Sequence, residues 1–187
     1  MKKKLTLFML LSLVSVLTSV AATSGIDFSK IQRWVGTGNN KAALAIKWAD
    51  GQGDGKTLVW GYRWQDGEQP TGEMLLKAVA KADPNFYILA KGATQYGSAI
   101  AGLGYDWNGD AEITVMDDEN DSNIQYPRNG VTEAGDGYRF DHFFAGDGDD
   151  LWNAGWYNGY WSYWVADNIS ADFGYSGSGC TGRKLTD

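Results

Sequence analysis

The chain has 187 residues, 16 Lys and Arg against 23 Asp and Glu, a formal net charge of -7, and an unusual store of 9 Trp and 10 Tyr. So acidic a surface repels nucleic acid and anionic lipid and favours cations. A single cysteine, Cys180, excludes an internal disulfide. A single histidine, His142, excludes a zinc site built on two histidines and leaves any Ser-His-Asp or Cys-His arrangement one imidazole to use.

Lys2, Lys3 and Lys4 precede an apolar run from Leu5 to Val20, with Ala21 and Ala22 after it. A charged start, an apolar middle and small residues at the end are the layout of a secretory signal peptide, predicted over 1–22. The run is shorter than a bilayer span needs and holds Ser12, Ser15, Thr18 and Ser19. Export to the periplasm, the cell surface or the medium is therefore expected. Loss of the leader removes three positive charges and takes the net charge from -7 to -10. Residues 23–187 remain, enough for one domain with its own core.

Period-two alternation marks KAALAIKW, Lys41 to Trp48, with Ala42, Leu44, Ile46 and Trp48 on one face. TLVWGYRW, Thr57 to Trp64, follows a Gly/Asp turn at Asp50 to Gly55 and puts Leu58, Trp60, Tyr62 and Trp64 on one face. Together they predict an antiparallel hairpin. TGEMLLKAVAKA predicts a helix at about 71–82. Thr71 caps it, Glu73 stands in the first turn, and Met74, Leu75, Ala78, Val79 and Ala82 form the stripe. Asp83-Pro84 ends it, because the residue before proline avoids helical geometry.

Phe86 to Ala90 and Ser98 to Tyr105 read as strands. From Asp106 to Asp150 the pattern predicts long acidic loops with short strands at Glu112 to Met116 and Gly137 to Phe144. In LWNAGWYNGYWSYWV, Leu151 to Val165, the Asn158-Gly159 pair suits a hairpin turn, and a single continuous strand is the other geometry. Both put rings on two faces, more than one core readily absorbs. The expected fold class is α+β: mainly antiparallel strands in a sandwich or curved sheet, carrying one amphipathic helix.

Three chemistries are open to these residues. DWNGDAEITVMD spaces Asp106, Asn108, Asp110 and Asp117 like the oxygen ligands of a calcium loop, although Ala111 stands where glycine is usual and the last ligand is Asp rather than Glu. Enzymatic work is not expected. GYSGS (174–178) fails the nucleophile-elbow pattern, and Asp141 and His142 are adjacent, so in a strand they point apart. Paired carboxylates from Asp141 to Asp150, as in an extracellular polymer hydrolase, are the catalytic alternative. The third chemistry is ligand binding on flat aromatic faces, which suit sugar rings and large macrocycles. Its candidates are Trp156, Tyr157, Tyr160, Trp161 and Trp164, then Trp107 and Trp64. The last two stand in the echoing phrases GYRWQDGE and GYDWNGDAE, each read as an aromatic strand end running into an acidic turn. Trp34, Trp48 and Trp60 are expected in the core.

WVGTGNNKAALAIKWADG, LVWGYRWQDGEQPTGEMLLKAVAKADPNFYIL, AGWYNGYWSYWV and FGYSGSGCTGRKLTD, in that order, span nearly all of the chain after the leader. This set resembles a family of secreted and cell-surface domains from Bacteroidetes that has no established enzymatic activity. The resemblance implies an association with outer-membrane capture of corrinoids or other nutrients, and a further Gly- and Trp-rich segment beyond the last phrase. The reading from sequence is thus an exported, non-enzymatic module of the cell envelope. Its ligand would be a glycan or a corrinoid-type nutrient, and an outer-membrane or surface protein is a potential partner. The structural alternative is a module of a larger surface protein or adhesin.

Overall fold

The structure, a computed structural model, describes residues 25–48, 56–94, 97–134, 138–157 and 159–187. The predicted leader and the Asp50 to Gly55 turn lie outside them. The two alternating runs are strands β2 (Asn40–Lys47) and β3 (Thr57–Trp64), paired antiparallel along their full length. A short strand β1 (Trp34–Gly36) adds to β3 in parallel and completes a three-stranded sheet. Helix α1 (Gly72–Ala82) begins where expected: the Thr71 hydroxyl accepts from the Met74 N–H at 3.3 Å. It stops at Asp83, whose N–H still donates to Val79 O.

The buried side of α1 is not quite the predicted stripe. Leu75, Leu76, Val79 and Ala80 are buried, while Met74 is 55% exposed and Ala82 is exposed. Met74 and Leu76 flank the Leu75–Val79 line on opposite sides, so the sequence permits either seating. The branched Leu76 took the covered side.

Strands β4 (Phe86–Thr94) and β5 (Gly97–Tyr105) form the centre of a second sheet, flanked by β8 (Gly130–Ala134) and β10 (Leu151–Ala154). Its two faces serve two cores. Phe86, Ile88 and Ala90 point toward α1 and the first sheet, with Trp48, Trp60, Val79 and Leu103. Tyr87 and Leu89 point the other way, toward Ile113, Val115, Phe143 and Trp152. This second core is covered by β6 (Glu112–Asp117), β7 (Ser122–Pro127) and β9 (Phe143–Ala145), a three-stranded sheet ordered β7-β6-β9. A register shift opposite Leu89/Ala90 leaves Ala101 between the partners Ile100 and Gly102. One extra residue in β5 lets Ile100 and Leu103 serve the same core although they are three apart.

Most strand pairs are antiparallel, as expected, and the fold is α+β and rich in strand. Two pairs, β1–β3 and β4–β8, are parallel. Three elements depart from the prediction. The region read as long loops contains β7 and β8. The expected strand at 137–144 is a 3-10 helix (Tyr138–His142) followed by β9, and Gly137 lies outside the described residues. Asn158 of the expected turn lies outside the described residues, and the described residues of 151–165 form neither a hairpin nor one strand. The segment leaves the sheet after Ala154 and next pairs at β11 (Trp164–Val165) with β12 (Gly174–Tyr175). Ring burial explains this departure. Trp161 leaves the strand path to pack edge-on against Trp48 at 5.7 Å, with its Nε1–H donating to Asn153 O at 2.8 Å.

A four-residue helix α2 (Gly179–Gly182) precedes a tail that docks on the start of α1. There Gly72 N–H donates to Arg183 O and Leu185 N–H to Pro70 O. Two glycines of β5 make the slot for Trp152. A Cβ at Gly104 would lie 2.9 Å from its ring, and one at Gly102 3.2 Å away. Gly61 does the same for Trp34, whose ring atoms lie 2.3 to 2.6 Å from where its Cβ would be. Gly61→Ala is therefore expected to lower stability by about 1–3 kcal/mol through overpacking, read as a lower urea midpoint at unchanged slope.

Candidate functional site

After β10, the chain is caught by a buried carboxylate. Asp141 Oδ1 accepts from the N–H groups of Trp156 at 2.8 Å and Tyr157 at 2.7 Å, and Gly155 N–H donates to Ala101 O. This turn holds Tyr157 out in solvent at 77% exposure. Gly159 then takes a φ of +94°, a conformation open to glycine, and a Cβ there would lie 2.3 Å from the Ala154 carbonyl oxygen. Tyr163 passes over the first turn of α1, where a Cβ at Gly72 would meet its hydroxyl at 2.4 Å. Burial and the Cys180 thiol push its phenol above the ordinary range.

Because Trp161 and Tyr163 are drawn inward, their neighbours face out. Tyr160 is 54% exposed, Trp164 51% and Tyr175 58%. Trp164 and Tyr175 are register partners across β11–β12, and their rings meet edge to face at 5.8 Å and 76°. The neighbouring Tyr175 hydroxyl, with partial burial, raises the Tyr160 phenol above its usual value. Trp164 Nε1–H donates to Ser162 Oγ at 2.9 Å and so fixes the ring. Two exposed rings, Trp164 and Tyr175, thus sit on one two-stranded ribbon with Tyr160 in the segment that leads into it, and the loop between the two strands exposes Ile169 and Phe173 as well. Three of the predicted binding residues are in the open here: Tyr157, Tyr160 and Trp164. Tyr175 escaped the sequence reading because FGYSGSG carries one isolated Tyr, and only its pairing opposite Trp164 brings it in.

The remaining candidates scatter. Trp64 is buried and stacked on Tyr62 at 5.9 Å, so it belongs to the interior and not to a binding surface. Trp161 is packed against the core, and Trp156 is half-buried. Trp107 is exposed but lies beside the acidic turn, with Lys56 Nζ 4.6 Å from its ring centre. The core expectation holds for Trp48 and Trp60, which are buried, while Trp34 is half-buried at the edge strand. Both echoing phrases do end strands in acidic turns, at Trp64 and at Tyr105.

The four oxygen donors predicted for calcium are not gathered. Asp110 precedes β6 and Asp117 ends it, so the length of the strand, roughly 16 Å at 3.3 Å per residue, separates them. Asp106 is buried and accepts from Gly109 N–H at 2.6 Å and Ala111 N–H at 3.1 Å. Its carboxylate ties the turn together. Asp147 and Asp150 join this turn instead. Asn108 Nδ2 donates to Asp147 Oδ2 at 3.2 Å, and Trp107 N–H to Asp150 Oδ1 at 3.1 Å. Among the described residues, no group of three or more acidic, His or Cys side chains is arranged to hold a metal ion. Asp141 and Asp150, the stretch considered for paired catalysis, are both buried, and each accepts from backbone N–H groups.

Compared with known protein-family models, curated proteins and solved structures, the chain matches none. Among the described residues, no helix is long and apolar enough to cross a membrane.

Burial, joined by the charges of Asp147, Asp106 and Asp110, pushes the Asp150 carboxyl up to about 6. Its sign is unfavourable at neutral pH. The unfolded chain ionises first, so stability falls as pH rises from about 4 to 6 and stays low above. Asp150→Asn keeps the acceptor for Trp107 N–H. It is expected to stabilise the protein at pH 7.5 by about 1–3 kcal/mol, a gain that disappears near pH 4, as followed by thermal melting across that range.

Proposed function

We propose that this chain is an exported, non-enzymatic binding module of the bacterial cell envelope that docks a glycan on the Tyr160–Trp164–Tyr175 surface. The supporting observation is that Trp164 and Tyr175 on the ribbon and Tyr160 just before it stay half in water, while Trp161 and Tyr163 of the same segment turn inward and are half-buried. Leaving such rings exposed forgoes roughly 1.5–3 kcal/mol apiece, which a ligand can recover. The edge-to-face geometry favours a sugar over a corrinoid. Trp164 offers one flat face of pyranose size, Tyr175 stands across it as a wall, and the two phenolic oxygens are placed to pair with hydroxyls. A broad macrocycle needs a wider coplanar platform. Export rests on the Lys2–Ala22 leader pattern, and no cofactor enters the reading.

The same exposure supports a second reading, in which the ribbon packs against another domain or an outer-membrane or surface protein, as a module of an adhesin would. Tryptophan-fluorescence titration with a panel of soluble polysaccharides, and with a corrinoid, separates the readings. A glycan is expected to shift the emission, and Trp164→Ala is expected to weaken its binding at least tenfold, about 1.4 kcal/mol or more, with an unchanged melting temperature. A response to the corrinoid alone would reassign the ligand. Silence with every glycan would leave the packing module as the better account.

Asp141 sets the turn that leads into this surface. Asp141→Ala strips the acceptor from two N–H groups and is expected to cost about 2–6 kcal/mol, at the 1–3 kcal/mol carried by each lost partner. Urea unfolding measures the loss, and Tyr157 amide hydrogen exchange should quicken with it.

A further inference from the structure

At the other end of α1 lies a cleft that the aromatic reading did not include. Its volume is about 340 Å³, within the ~300–1,000 Å³ of small-ligand pockets. The helix-stopping residue Asp83 forms its floor. Asp83 is buried and accepts from Trp60 Nε1–H at 2.7 Å, Arg33 Nη1–H at 2.9 Å and its neighbour Asn85 N–H at 3.0 Å. Arg33 Nη1 also donates to the Tyr105 hydroxyl. Both Nη1 hydrogens are therefore taken. The guanidinium is about half exposed, and among the described residues its Nε and Nη2 groups donate to nothing. Those two groups form the parallel donor edge that matches a carboxylate two-to-two. Trp34 and Pro84 also line the cleft, and the Arg63 guanidinium lies 4.6 Å from the centre of the Trp34 ring.

We infer that this cleft binds a small monocarboxylate with a flat apolar body, its carboxylate on the free edge of Arg33 and its body between Trp34 and Pro84. Three features select that class. Asp83 holds the guanidinium plane in place from behind, so the fork is set before a ligand arrives and little rotamer freedom is lost on binding. Asp83 also cancels much of the local positive charge, and the chain as a whole is acidic. A phosphate dianion, which needs more than one cation, is disfavoured relative to a single planar carboxylate. A neutral sugar would need acceptors as well as donors, and Asp83 already accepts three hydrogen bonds. The length of α1, roughly 16 Å for 11 residues at 1.5 Å each, separates this cleft from Tyr163 and the aromatic ribbon. The two sites are therefore independent.

The test uses the folded chain with phenylacetate, phenylacetamide and inorganic phosphate as probes, followed by calorimetry and by the indole N–H signals in a ¹⁵N correlation spectrum. Phenylacetate is expected to move the Trp34 and Trp60 indole signals and to bind at least tenfold more tightly than the amide. R33K keeps the charge and the tie to Asp83 but lacks the planar fork, and is expected to weaken phenylacetate at least fivefold. W164A, in the aromatic ribbon, should leave it unchanged. Equal affinity for acid and amide would overturn the inference, as would phosphate binding more tightly than phenylacetate. So would unchanged affinity in R33K, or still indole signals at tens of millimolar phenylacetate. None of these results bears on glycan docking at Trp164.

Discussion

The segment Phe86 to Ala90 offers no charged side chain to water on either face, and the layers around it follow from that constraint. A strand of this kind is stable only when both faces are covered. One face calls for α1 and the first sheet, the other for the β7-β6-β9 sheet and Trp152. The bulge at Ala101 lets β5 satisfy both sides despite its own irregular pattern. Because both cores share this strand, loss of either would expose apolar surface of the other.

Large rings are the filling material, and their energetics explain an otherwise costly feature. Among the described residues, the buried Nε1 groups of Trp48 and Trp152 donate to no partner. Each orphaned donor costs about 1–3 kcal/mol. A buried Trp removes about 150–250 Å² from water, worth about 4–6 kcal/mol at 25 cal/mol per Å². Burial wins, provided the backbone can approach the ring closely, which Gly102 and Gly104 allow for Trp152. The same preference dissolves the expected 151–165 hairpin. Trp161 packs against Trp48 instead of pairing in a strand, and Tyr160 and Trp164 are left outside.

Buried aspartates set the irregular parts in place. Asp83 ends the helix and orients Arg33 and Trp60; Asp106 closes its own turn; Asp141 catches the chain as it leaves β10. Each binds backbone or ring N–H groups that would otherwise be stranded at a strand or helix end. The acidity of the chain is thus partly internal architecture, and only part of it is surface charge. Asp150 is the strained member, since it is buried among like charges.

The sequence by itself determined what is local. Period-two faces in β2 and β3, the Thr71 cap and the Asp83-Pro84 stop depend on neighbours within a few residues, and all stand in the structure. Strands β7 and β8 were illegible because their faces are largely exposed and their pairing is supplied by β6 and β4. Of the candidate binding residues, Tyr160 and Trp164 were legible as part of a ring surplus, whereas Trp64, which is buried, and Trp161, which is half-buried against the core, looked the same. Only tertiary structure sorted them, because an aromatic ring carries no local mark of which face of which sheet will cover it. It also decided that Tyr175 stands against Trp164 and that Arg33 meets Asp83 across 50 residues. Contacts so distant in the chain leave no spacing to read, and they form only when the sheets close around β4.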